Sequence, residues 1–154
     1  NYECYKGIYS SLNSMNLFEI AHSLNRQYGP EQWCIYRGKH LMSFVDNHDV
    51  TRIASILTTP AHLPLAYGIL FGMPGIPCIY YGSEWGEEGI KTPDNDYALR
   101  PCFEAPKPNA LTDFIHRLIT LRQTVMPSAM EDTAISQSQT ISLSLNAVQG
   151  RNGF

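Results

Sequence analysis

Leu41-Met42-Ser43-Phe44-Val45-Asp46-Asn47-His48-Asp49 is the stretch whose reading decides the fold. Hydrophobic residues lead straight into a cluster of polar side chains able to bind or polarise a ligand. A strand buried on both faces reads as a near-continuous apolar run, and in a parallel sheet its C-terminal end is where ligand-contacting side chains collect. The segment Leu41 to Asp46 therefore reads as a buried parallel strand that opens onto a functional loop.

Downstream, Gly72-Met73-Pro74-Gly75 is turn chemistry, and Ile76 to Tyr81 is a second short apolar strand that also ends in a polar cluster, Gly82-Ser83-Glu84-Trp85. Between the two strands, Val50 to Leu57 can form a short helix capped by Asp49 or Thr51. Ala61 to Phe71 makes another, with Pro64 tolerated in its first turn. Upstream, Asn16 can cap a helix carrying Leu17, Phe18, Ile20, Ala21 and Leu24 at helical spacing, with Glu19 at the N3 position of a capping box. Gly29-Pro30 ends it. From Gly86 to Pro108 the chain is irregular and rich in Gly, Pro, Asp and Glu, and loops of that length in compact domains are usually functional. A helix with an apolar stripe of Leu111, Phe114, Ile115, Leu118 and Ile119, and with Arg122 further along, then stops before Pro127. Ile141-Ser142-Leu143-Ser144-Leu145 alternates strictly, as a half-buried antiparallel strand does. Strands alternating with helices imply a parallel sheet. Two parallel strands leave their outer edges unpaired, so this is either a small open α/β domain or one end of a larger fold.

Composition narrows the function classes. At 154 residues and a formal charge of −3, the chain carries no basic stripe for nucleic acid and no acidic tail. No apolar run approaches the roughly 18 residues of a membrane span, and no basic-then-apolar leader is visible. Cys4, Cys34, Cys78 and Cys102 are widely spaced, with no C-x-x-C pair and no histidine at zinc-finger distance. Free thiols in a reducing compartment are the plain expectation, and with them a cytoplasmic rather than a secreted protein.

Phe44-Val45-Asp46-Asn47-His48-Asp49, together with Gly72-Met73-Pro74-Gly75-Ile76-Pro77-Cys78-Ile79-Tyr80-Tyr81-Gly82-Ser83-Glu84, closely resembles the α-amylase superfamily of glycoside hydrolases (glycoside hydrolase family 13). The first motif is similar to that of the family's seventh barrel strand, the second to that of its eighth. Arg52 and Leu99-Arg100-Pro101 also resemble members acting on maltodextrins, with cyclomaltodextrinase and neopullulanase types nearest. The resemblance implies an α/β fold, the C-terminal part of a (β/α)8 TIM barrel, about the last two strands and their helices, followed by the start of an all-β domain. Residues 1–128 would be the barrel part and 129–154 the β-domain. The family's nucleophile and acid/base lie on strands upstream of anything here, so the isolated chain is expected to be inactive. It is also expected to be unstable, since a barrel typically needs about 250 residues.

By the same likeness, Asp49 would be the third essential carboxylate, stabilising the oxocarbenium-like transition state through the sugar hydroxyls. The plainer alternative is that it caps the helix from Val50. His48 would donate to a hydroxyl of the same sugar, the alternative being a loop histidine satisfied by backbone. Asn47 is either a substrate contact or a turn former, and Asp46 is equally either a functional group of the site or one that orients a neighbour. Tyr81 could touch sugar and Trp85 could stack on it, or both could pack the loops. Glu84 reads as a brace and Arg52 as structural, in an ion pair or facing solvent. Asp94-Asn95-Asp96 resembles a cation-binding loop, but its consecutive spacing is wrong for an EF-hand, and a turn is expected. No metal site and no cofactor are assigned, although calcium occurs in the family. The expected partner is an α-glucan oligosaccharide, with neither nucleic acid nor membrane. The expected reaction is retaining hydrolysis of α-glucosidic bonds. A non-catalytic barrel relative acting as a scaffold or partner-binding subunit is the alternative.

Overall fold

The computed structural model describes residues 1–131. The expected strand at 141–145 and nearly all of the expected β-domain lie outside them.

The chain opens with a helix that the pattern reading did not include, α1 (Tyr2–Ser14), capped by the Asn1 side chain, which accepts from the Cys4 N–H at 3.2 Å. Met15 ends it in the left-handed region at φ 56°. Cys4, Ile8 and Leu12, four apart, form its buried stripe. They face Ile20, Leu24 and Tyr28, also four apart, on α2 (Phe18–Tyr28), and the two helices pack as an antiparallel-type hairpin across a short turn. Asn16 does serve the start of α2, accepting from the Phe18 N–H at 3.0 Å. Glu19 does not close a capping box. It accepts instead from Ser10 Oγ at 2.6 Å and lies 3.7 Å from Lys6 Nζ, both on α1. A tertiary partner on the neighbouring helix has outcompeted the local cap. Gly29 ends α2 as expected.

Two strands follow, β1 (Met42–Phe44) and β2 (Ile76–Cys78), shorter than the apolar runs that announced them. They pair in parallel, with Met42 opposite Ile76 and Phe44 opposite Cys78. Between them lie α3 (Ile53–Ile56) and α4 (Leu63–Gly72), the latter with Pro64 in its first turn, where no intrahelical N–H is needed. Val50 to Arg52 stay non-helical, so α3 starts later than expected. Its cap is neither Asp49 nor Thr51 but Asp46, whose Oδ2 accepts from the Ile53 N–H at 2.9 Å. The last helix, α5 (Ala110–Glu131), continues past Pro127 rather than stopping before it. Proline costs a helix one hydrogen bond and a local clash, yet its fixed φ is itself helical, so the backbone can run on.

One core joins these elements. α1 packs on α2, β1 and α4, and α4 packs on α5. Val45, Ile53, Leu57, Tyr67, Leu70, Phe71, Met73 and Ile115 fill the space between them. Arg122 reaches from α5 to donate to the carbonyls of Phe71, Met73 and Gly75, closing the end of α4 and the turn into β2.

The strand pair is registered by that turn. Ile76 N–H donates to Leu41 O at 2.9 Å, and the preceding Gly75 sits at φ +98°. A Cβ there would stand 2.4 Å from Leu41 O, so only glycine admits both the conformation and the approach. Gly75→Ala is expected to cost about 1–3 kcal/mol. Urea unfolding of the full-length protein checks this, and an unchanged midpoint would contradict it.

Candidate functional site

The loops leaving β1 and β2 carry nearly all the residues singled out from the sequence. Beyond Phe44, the chain keeps Val45 and Asp46 buried and then turns outward. Asn47 makes the turn: its Oδ1 accepts from the Asp49 N–H at 2.8 Å, while its Nδ2 donates to Tyr2 Oη at 3.0 Å. The outcome puts His48 and Asp49 side by side at the surface, with their side chains 57% and 46% exposed.

Asp49 caps no helix. Its two oxygens face different partners, Oδ2 lying 3.4 Å from His48 Nε2 and Oδ1 lying 3.5 Å from an Arg100 guanidinium nitrogen. Arg100 also pairs with Asp96 at 3.2 Å and donates from Nε to His48 O at 3.3 Å. Lys91 Nζ donates to Asp49 O at 2.7 Å. The carboxylate thus stands between an imidazole and a guanidinium at the open end of the parallel strand pair, where a polar ligand can reach it.

Beneath this surface is a second, buried polar set. Ser83 Oγ stands 2.7 and 2.8 Å from the two Asp46 oxygens, and Arg52 donates to the same Oγ at 3.0 Å. Asp46 is therefore a structural group that orients its neighbours, by capping α3 and by holding Ser83. Arg52 is structural too, and it does not face solvent: it is 0% exposed. Its terminal nitrogens also donate to Tyr81 O at 2.7 Å and Leu99 O at 2.9 Å, its Nε has no hydrogen-bond partner, and its guanidinium lies 4.2 Å over the Tyr80 ring.

The aromatic residues line up from the site outward. Tyr81 is 42% exposed and donates its hydroxyl to Pro101 O at 2.8 Å. Its ring meets Phe103 edge-on at 5.7 Å, and Phe103 in turn meets Trp85 edge-on at 5.2 Å. Trp85 is half-buried, with Nε1 toward Glu87 at 3.4 Å, and it packs the loop rather than joining His48 and Asp49. Glu84 lends its carbonyl to Thr112 Oγ1 at 2.9 Å, which braces α5. Asp94 to Asp96 form a turn closed by Thr92 and Asn95. Among the described residues, no group of three or more His, Cys, Asp or Glu could hold a metal ion. The four cysteines are unpaired, and no described helix is long and apolar enough to cross a membrane.

Two contacts of the site, Arg100 with Asp49 and Tyr2 with Asn47, have no sequence signal. The spacing of Asp96 and Arg100 at i, i+4 hinted at their pairing, but nothing local ties Arg100 to Asp49. Nothing ties Tyr2 to Asn47 either.

Residues 9–142 match the family model "Alpha amylase, catalytic domain". The chain belongs to the alpha-amylase family. Its similarity to the intracellular maltogenic amylase of Bacillus subtilis is 31% identity over 120 residues, covering 74% of this chain and 18% of that protein. A 4-alpha-glucanotransferase of Thermotoga neapolitana is 38% identical over 63 residues, 39% of this chain and 14% of that protein. Among solved structures, the alpha-amylase from Geobacillus thermoleovorans, crystallised with acarbose, superposes with a TM-score of 0.64 at 28% identity. That match covers 84% of this chain and 28% of the amylase. This alpha-amylase-family chain therefore has an α/β amylase-type fold, and it spans less than a third of the length of these relatives.

Burial raises the Asp46 carboxyl above its ordinary value, against the lowering effects of the Ile53 N–H, Ser83 and Arg52. A folded-state value above the unfolded one means that the fold holds this proton more tightly. The group's contribution is then full below the ordinary value of 3.8 and is lost as pH rises through the raised one. The melting temperature of Asp46→Asn, measured from about pH 4 upward, is expected to gain on that of the wild type. A constant difference would contradict it.

Proposed function

We propose that the full-length protein is a retaining enzyme acting on α-glucosidic bonds of maltodextrin-like oligosaccharides, and that this chain supplies the substrate-holding and charge-stabilising half of its centre. Residues 1–128 are then the end of a (β/α)8 catalytic domain, and 129–154 open a following β-domain. The nucleophile and the acid/base come from the part of the barrel before residue 1.

The observation that carries this reading is the state of Asp49. It is an exposed carboxylate at the end of a parallel strand, held by His48 and Arg100 and not spent on capping α3. A fixed negative charge in that place stabilises positive charge developing on a sugar ring, and hydrogen bonds to sugar hydroxyls strengthen as it does so. His48 and Asn47 offer further polar contacts. Tyr81 offers an aromatic face to the sugar, and Trp85 forms the far edge of the same aromatic surface through Phe103. The named activities of the maltogenic amylase and the glucanotransferase support an α-glucan as substrate. The chemistry runs on carboxyl groups and water and needs no cofactor. A cytoplasmic setting fits the four unpaired cysteines.

In the full-length protein, Asp49→Asn is expected to lower kcat on maltodextrin about 10²–10³-fold with little change in KM. Reducing-sugar release checks it. A wild-type level of turnover would remove Asp49 from the mechanism. No turnover by the wild type would favour the scaffold reading. The isolated chain is expected to release no glucose or maltose, and measurable release would show that it needs no further strands.

A further inference from the structure

We propose that Arg52 is a positioning residue for Asp49 and acts on it through Arg100. The contacts run in one line. Arg52 donates to Leu99 O at 2.9 Å, and Leu99 is the residue before Arg100. Arg100 reaches Asp49 Oδ1 at 3.5 Å and His48 O at 3.3 Å. One peptide unit and one side chain therefore separate the buried guanidinium from the exposed carboxylate.

Leu99 is itself fully buried, and that burial fixes where the chain passes. The Arg52 bond fixes something else, the direction of the Leu99 carbonyl. This sets the plane of the peptide that leads into Arg100. The same guanidinium holds Tyr81 O and Ser83 Oγ with its other terminal nitrogen, and the Arg52 N–H donates to Gly89 O at 2.8 Å. Gly89 comes so close that a Cβ there would stand 2.3 Å from Ala98 O and 3.2 Å from Arg52 Cγ. The loop from Gly86 to Arg100 is thus wrapped on Arg52 from two sides.

Arginine suits this place because its planar fork serves acceptors on two loops at once, whereas a lysine nitrogen is a single point. A lysine there keeps the charge and can satisfy the Tyr81–Ser83 side or the Leu99 side, but not both. The Leu99 peptide would then rotate, and Arg100 would leave Asp49. Loss of an aligned charge by about 1 Å is enough to cost about 10²-fold in rate.

This inference rests on the role proposed for Asp49. Its test is a double-mutant cycle in the full-length protein with Arg52→Lys, Arg100→Met and both together, reading kcat and KM on maltodextrin. Alongside it, hydrogen exchange of residues 96–103 is followed and melting confirms folding. Arg52→Lys is expected to lower kcat about 10²-fold with KM little changed, and to speed exchange at 96–103. In the Arg100→Met background it should lower kcat by less than about 3-fold, because the shared route is already cut. Effects that multiply, or unchanged exchange at 96–103, would overturn it. Arg52→Gln, which buries no charge, serves the same cycle if Arg52→Lys does not fold, and failure of both to fold would count against a positioning role. A wild type without turnover defeats the role of Asp49 instead, and the exchange measurement then decides the link from Arg52 to the 96–103 loop by itself.

Discussion

A guanidinium that sees no solvent, and has no carboxylate among the described residues in direct contact, is the constraint the two loops depend on. Burying an unpaired cation costs several kcal/mol unless its donors are met. Arg52 meets most of the condition: its two terminal nitrogens reach two carbonyls and a hydroxyl and its plane lies over Tyr80, while its Nε is left without a hydrogen-bond partner. The compensating negative charge stands one hydroxyl away, on Asp46 beyond Ser83. Each group needs the others in place: Asp46 without Ser83 would keep only the Ile53 N–H, and Arg52 without the loops would be an orphaned charge. The polar cluster therefore forms as a unit with the fold or not at all.

This buried layer explains why the exposed one can hold its arrangement. His48, Asp49 and Arg100 are roughly half exposed, and pairs of that kind contribute little to stability by themselves. Their positions come from below. Asn47 turns the chain, Asp46 anchors the start of α3, and the Leu99 carbonyl sets the approach of Arg100. On the role proposed for Asp49, an accessible carboxylate is given rigidity by groups buried beneath it.

What could be read from the chain alone follows the range of the forces. The strand pair, its parallel sense, the proline in the first turn of α4 and the Gly75 turn all rest on local pattern and were legible. Helix α1 was not, although Cys4, Ile8 and Leu12 repeat every four residues, because tyrosines, serines and Gly7 give it weak intrinsic helicity. Its stability comes from the facing stripe of α2. The Glu19 capping box and the Asp49 or Thr51 cap of α3 failed for a related reason. Glu19 and Asp46 were placed by partners on other elements, Ser10 and Ser83, rather than by spacing. In the candidate site, the adjacency of His48 and Asp49 was legible because it is sequential. The arrival of Arg100 was not, because it depends on how a long irregular loop folds back.

Two anchors, the buried Arg52 and the half-buried Arg122, bind chiefly to main-chain oxygens: Tyr81 and Leu99 for one, Phe71, Met73 and Gly75 for the other. A carbonyl is present whatever side chain it belongs to. Apart from the Arg52 bond to Ser83 Oγ, the two arginines therefore grip the path of the loops without inspecting their composition. Exposed side chains along those loops are free to be exchanged while the scaffold keeps its course, but Gly75, Ser83, Gly89 and Leu99 are tied to it by close approach, hydrogen bonding or burial. Sequence-blind anchoring of this kind leaves a fixed frame on which recognition can drift.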